Sequence, residues 1–124
     1  MIDPNEQLTP HFKLGEFTCH CCHDVIRDKA LELASRLEPV REDVGPIVIL
    51  SGFRCFHQNI LVHGKTFSRH LTGEAADIAC QDDATRFLLV TSLLTHGFVR
   101  IGIGRDFIHA DISTITGPVI WTYY

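Results

Sequence analysis

Within the stretch Ser68-Arg69-His70-Leu71-Thr72-Gly73-Glu74-Ala75-Ala76-Asp77-Ile78, an imidazole and a carboxylate stand seven residues apart, with one glycine and two alanines between them. Such a pair is a common donor set for a divalent ion like zinc. The small residues between the two point to backbone that passes close to something. About thirty residues on, Asp106-Phe107-Ile108-His109 offers a second imidazole and a second acid. A catalytic zinc site uses three protein ligands and keeps one position open. His70, Asp77 and His109 meet that requirement with two imidazoles and one carboxylate. Zinc held this way can bring the pKa of a bound water from about 15.7 to about 7, which makes a nucleophile available at neutral pH. The expectation is a hydrolase with one zinc ion.

Hydrolysis also needs a base. Asp106, three residues before His109, is the preferred candidate. Asp111 competes, because on a straight strand it shares a face with His109 and could be ligand, base or the group that orients the imidazole. The orienting role is assigned to Asp111 and the base to Asp106. Arg54, just after an apolar run that ends in Ser51-Gly52, could present a cation to substrate or serve as a surface or ion-paired arginine. His57 and His63 are read as surface or outer residues.

The bulk properties exclude several other classes. The 124 residues suit one domain, 1–124, with an N-terminal arm over 1–18. Net charge is -4, so no nucleic-acid backbone is expected as a partner. No apolar run is long enough for a membrane span, and a monomer is expected. The first residues lack the basic and apolar regions of a secretory leader. That favours a protein that is cytoplasmic at synthesis. Of the five cysteines, Cys19, Cys21 and Cys22 cluster with His20 and His23. Without a downstream paired motif the cluster is a weak zinc signal, and it reads first as reduced thiols in a local turn. A disulfide involving Cys55 is the alternative; Cys80 stands apart.

The elements that must position these groups follow from periodicity. Apolar residues at three-to-four spacing predict a helix from 24 to about 44, with Pro39 bending it and Gly45-Pro46 ending it. Residues 47–51 read as a strand buried on both faces, and 56–62 as a helical turn. Residues 75–79 fit a strand that carries Asp77. Asp82-Asp83 cap a second helix, 84 to about 95, with Phe87, Leu88, Val90, Leu93 and Leu94 as its apolar face. Strands are expected over 98–104, 107–112 and 119–124. The sum is an α+β domain with helices packed on an antiparallel sheet.

Ser68, His70, Gly73, Ala75 and Asp77, in the pattern Ser-x-His-x-x-Gly-x-Ala-x-Asp, resemble the zinc motif of the D-alanyl-D-alanine carboxypeptidase family of metallopeptidases. That family includes phage L-alanyl-D-glutamate endopeptidases and shares a fold with hedgehog proteins. Ser51-Gly52-Phe53-Arg54-Cys55 followed by Asn59 is similar to its SGYRC…N segment. Ile101-Gly102 and Asp106 to His109 resemble its closing acid-x-x-His block, and Glu16-Phe17-Thr18-Cys19 with Cys21 and Cys22 resembles its opening. The likeness covers roughly residues 11–112. It departs at Val62-His63-Gly64, where the family has Val-Gly-Gly. The resemblance implies zinc on His70, Asp77 and His109, Asp106 as base, Arg54 stabilising the oxyanion, and Ser68 and Asn59 at the substrate. The implied substrate is the stem peptide of peptidoglycan, cut as a D,D-carboxypeptidase or as an L-Ala-D-Glu endopeptidase. Action on the wall after release, as an endolysin, or within a phage particle fits such a product. A non-catalytic zinc-binding module on the same fold is the alternative.

Overall fold

The computed structural model describes residues 2–124. The arm is a small folded unit: strands β1 (Gln7–Thr9) and β2 (Phe12–Lys13) form a hairpin, followed by a 3-10 turn at Leu14–Phe17. Phe12, Leu14 and Phe17 anchor it, each almost fully buried. Burying one such side chain contributes about 1.5–3 kcal/mol, which is what ties this segment down.

Helix α1 (Arg27–Val44) buries Ala30, Leu33, Ala34, Leu37 and Val40, the inward stripe of an amphipathic helix. It begins three residues later than the periodicity suggests and continues past Pro39 without a break. Proline there removes one backbone hydrogen bond, but buried residues on both sides, Leu37 and Val40, keep the two halves on one packing surface. Gly45 closes the helix at φ 86°, its N–H donating to the Arg41 carbonyl.

Next come β3 (Ile49–Ser51), the short helix α2 (Phe56–Leu61), β4 (Ala75–Ala79), α3 (Asp83–Thr95), β5 (Arg100–Ile103), β6 (Phe107–Asp111) and β7 (Val119–Thr122). The five long-range strands form one sheet in the order β3-β4-β6-β5-β7. Three of its four pairings are antiparallel, while β5 and β7 are parallel, so the sheet is mixed and the expected α+β class holds. The parallel pair has a simple cause. Strand β6 ends at Asp111 opposite Arg100, where β5 begins, so a short crossing over the sheet end lets β7 enter beside Arg100 in the same direction.

Two further expectations change. Strand β3 lies at the sheet edge with Leu50 42% exposed, so its apolar run is not buried on both faces. In α3 the inward residues are Leu89, Ser92 and Leu93, while Phe87 and Leu88 are 70% and 54% exposed. A helix that rests mainly on one neighbour buries a narrow stripe, and here Ser92 completes it by donating to Asp43 of α1 (2.7 Å). Asp82 caps α3 as expected, accepting from the Thr85 N–H (2.8 Å).

The core fills one face of the sheet. Ala76, Ile78, Ile101, Ile108 and Ala110 meet α1 and α3 there. Because strand side chains alternate, the odd-numbered residues of β4 and β6 point to the other face. That face carries Asp77, His109 and Asp111.

Candidate metal centre

Sheet register aligns one residue from each strand into a row: Ser51, Asp77, His109, Gly102 and Trp121. The next row holds Ala75, Asp111, Arg100 and Val119. His70 enters from the loop before β4. The chain there returns over the sheet through Gly73 at φ 76°, a left-handed turn that a side chain would strain against Ile26 and Lys29.

Asp77 Oδ1 lies 3.1 Å from His70 Nε2 and 3.1 Å from His109 Nδ1. All three residues are buried. The far nitrogen of each ring is engaged: His70 Nδ1 with the Gly52 carbonyl at 2.6 Å, His109 Nε2 with Asp111 Oδ2 at 2.8 Å. A carbonyl and a carboxylate can only accept, so these partners assign the ring protons and turn the other nitrogens toward Asp77. Without a cation, both facing nitrogens must also be protonated to bond that one oxygen, which places two imidazolium rings in a buried site. A divalent ion instead gives both lone pairs and the carboxylate one common partner. The donor set fits a metal.

Charge follows the same geometry. Burial works against the Asp77 carboxylate, but hydrogen bonds from His109 and His70 outweigh it and hold its pKa well below the usual range. Burial would push the His109 imidazole down; Asp111 and Asp77 reverse this and raise it. Asp111 opposes its own burial through His109, Arg100 (Nε to Oδ1, 2.7 Å) and the Ser113 N–H, and its pKa is lowered.

The other expected site residues are only partly brought together. Arg54 arrives at the centre: its guanidinium contacts Asp77 Oδ2 (3.2 Å), Ser51 Oγ (3.2 Å) and Asn59 Oδ1 (3.4 Å). Ser68 lines the cavity and accepts from the His70 N–H (3.2 Å). Asn59 is buried and outside the cavity lining, where it bridges Arg54 to the Lys65 carbonyl (2.9 Å). Asp106 sits on the exposed turn before β6, its carbonyl accepting from the Cys80 N–H (3.0 Å), and does not line the cavity.

The cavity above the centre measures about 1040 Å³. It includes residues that sequence reasoning did not assign to a site: His63, Lys65, Phe67, Arg69, Arg100, Phe107, Trp121 and Tyr123. Trp121 packs tilted against His109 (ring centroids 5.2 Å apart), and its buried Nε1 has no hydrogen-bond partner among the described residues. Burial pushes the Tyr123 phenol up to about 12, so it stays a neutral hydroxyl at physiological pH. The signal for this wall was Gly102. A Cβ there would lie 2.6 Å from Tyr123 and 2.8 Å from Trp121, so only glycine lets the two rings lie across β5.

Two imidazoles and one carboxylate, each ring fixed by a second partner beneath an open cavity, make a group that could hold one metal ion. The family comparison agrees: the profile described as Peptidase M15 matches residues 10–111, and the chain belongs to this metallopeptidase family. A search among curated proteins gives no significant match.

Proposed function

We propose that this chain is a zinc peptidase that hydrolyses an amide bond in peptidoglycan stem peptides. The observation that carries the reading is the convergence of His70, Asp77 and His109, with both rings already oriented, beneath a cavity that Arg54 also reaches. Zinc bound there would supply Lewis acidity toward a water and the scissile carbonyl. Arg54 offers a fixed positive charge to an oxygen that becomes negative as the amide is attacked. Lys65, Arg69 and Arg100 line the same cavity as Phe67, Phe107 and Trp121. Cations beside aromatic rings suit short peptides that carry free carboxylates, as stem peptides do. Ser68 stands where it could meet the substrate backbone.

The base is assigned to Asp106 on the family resemblance, which places it with His109 in the acid-x-x-His block. Asp77 is committed as a ligand, and Asp111 has no exposed side-chain surface and both oxygens engaged. Action on the cell wall after release, or as part of a phage particle, is proposed with the substrate.

A second reading has one observation in its favour. With Asp106 outside the cavity, a zinc-binding module without catalysis on the same fold is the alternative. Digestion of purified peptidoglycan, with mass spectrometry of the products, separates the two. The peptidase should release fragments that identify one stem-peptide bond, and His70→Ala should release none. No stem-peptide fragments from the wild-type protein would leave the binding module.

A further inference from the structure

The second concentration of metal-binding side chains lies outside the cavity. Cys19, Cys21 and Cys22 come from the loop after the 3-10 turn, and Cys55 from the start of α2. Their sulfurs all lie within 4.8 Å of one another. Cys19 and Cys21 are 3.7 Å apart, Cys19 and Cys55 3.6 Å, and Cys21 and Cys55 3.2 Å. Four sulfurs at about 2.3 Å from a zinc ion form a tetrahedron with edges of about 3.8 Å. The observed spacings approach that figure. A disulfide would account for two of these sulfurs and leave the other two unexplained.

The backbone is also arranged for thiolates. The Cys55 N–H points at Cys19 Sγ and the Gln58 N–H at Cys55 Sγ, both at 3.4 Å. The loop itself is closed by Cys19 N–H to the Asp24 carbonyl and His23 N–H to the Cys19 carbonyl, with His23 at φ 61°. Such a turn presents several side chains of a short segment to one point. Cys80, the remaining cysteine, is buried elsewhere against the Asp82 carbonyl.

We propose that Cys19, Cys21, Cys22 and Cys55 form a tetrathiolate site for a structural zinc-class ion, separate from the His70–Asp77–His109 centre. Each thiol gives its proton to solvent as it ligates, and all four positions are filled by protein, so the ion has no open place for substrate. Its role is to fasten the arm to the segment that serves the cavity. Gly52 already packs against the Phe17 backbone, the Phe53 N–H bonds the Phe17 carbonyl, and the Arg54 N–H bonds the His70 carbonyl. Cys55 follows directly, so an ion on it fixes Arg54 and the Gly52 carbonyl that orients His70.

The test is metal content after purification under reducing conditions without chelator. Wild type should hold two ions per chain, and a His70→Ala/His109→Ala variant should keep one. Loaded with cobalt(II), that variant should show intense thiolate-to-metal charge-transfer absorption and a tetrahedral ligand-field pattern. Cys22→Ala, at an exposed position, should weaken the absorption, and Cys19→Ser/Cys22→Ser should abolish it. Cys80→Ala should leave it unchanged. X-ray absorption of wild-type zinc protein needs no variant: it should show sulfur neighbours at about 2.3 Å beside nitrogen and oxygen at about 2.0–2.1 Å. A nitrogen-and-oxygen-only zinc shell, or a His70→Ala/His109→Ala variant that binds no cobalt, overturns the proposal. If wild type holds a single ion that only the cysteine variants lose, the tetrathiolate stands and the histidine centre fails.

Discussion

Asp111→Asn tests whether the second partner of His109 matters as much as the ligand itself. Asp111 has no exposed side-chain surface and accepts at both oxygens: His109 Nε2–H on Oδ2, Arg100 Nε–H and the Ser113 N–H on Oδ1. The amide keeps the shape but has only one accepting atom. If its oxygen stays with Arg100 and Ser113, its NH2 group faces His109, and the ring must swap tautomer to accept from it. That puts a proton on Nδ1, the atom turned toward Asp77. If the amide flips, the same NH2 meets the Arg100 guanidinium instead. The flipped arrangement costs a buried hydrogen bond and opposes two donors, while the swapped tautomer takes the Nδ1 lone pair away from a metal. Losing such an outer partner lowers metal affinity by about 10–100-fold, or about 1.4–2.7 kcal/mol. The assay is competition for zinc against a chromophoric chelator, with circular dichroism to confirm the fold. A folded Asp111→Asn protein whose zinc affinity stays within about twofold of wild type would refute the account of ring orientation.

Gly102→Ala should displace Trp121 and Tyr123, since its Cβ would sit 2.6–2.8 Å from both rings; it should cost about 1–3 kcal/mol in chemical denaturation and reduce turnover with zinc content unchanged. A fully active variant would remove the aromatic wall from the substrate site. In the metal-free protein His109 has a raised pKa, so its stabilising bonds are fully present below the ordinary imidazole value of about 6.5 and are lost as pH rises through the raised value. Metal binding needs neutral imidazoles and strengthens as pH rises. The difference in Tm between zinc-loaded and metal-free protein should therefore widen from about pH 6 to about pH 8, and a constant gap would contradict the assigned protons. Asp106→Ala should keep its zinc, because no ligand is touched, and should lose hydrolysis under the proposed assignment. Full activity would move the base to another group.

Strand alternation explains much of what the sequence did and did not disclose. His109 and Asp111 are two apart and share the cavity face, as the pattern of 107–112 implied. Asp106 is three before His109, an odd offset that sends a strand residue to the opposite face, and the exposed turn completes its separation from the centre. Counting residues alone concealed this. The buried strand Ala75–Ala79 and both long helices were legible because their apolar patterns are continuous. The edge position of β3 was not, since an apolar run is the same whether one neighbour or two will pair with it. The cysteine cluster was obscured for another reason. Its fourth member lies 36 residues beyond the first in the chain, and no local motif joins them. The aromatic strand was visible as a strand, but its service to the cavity depends on parallel pairing with β5, which only the tertiary fold supplies.

The row that runs from Ser51 through Asp77, His109 and Gly102 to Trp121 also sets an order of events. His109 lies 32 residues beyond Asp77, and Trp121 of the aromatic wall belongs to β7, which follows the other strands of the sheet in sequence. Domains generally begin to fold from the N-terminus during synthesis. When His70 and Asp77 leave the ribosome, they offer an ion two ligands and no wall. The cavity wall is complete only once β7 has emerged and paired with β5. Assembly of the candidate centre thus waits on the pairing of β7 with β5, a delay written into the strand order itself.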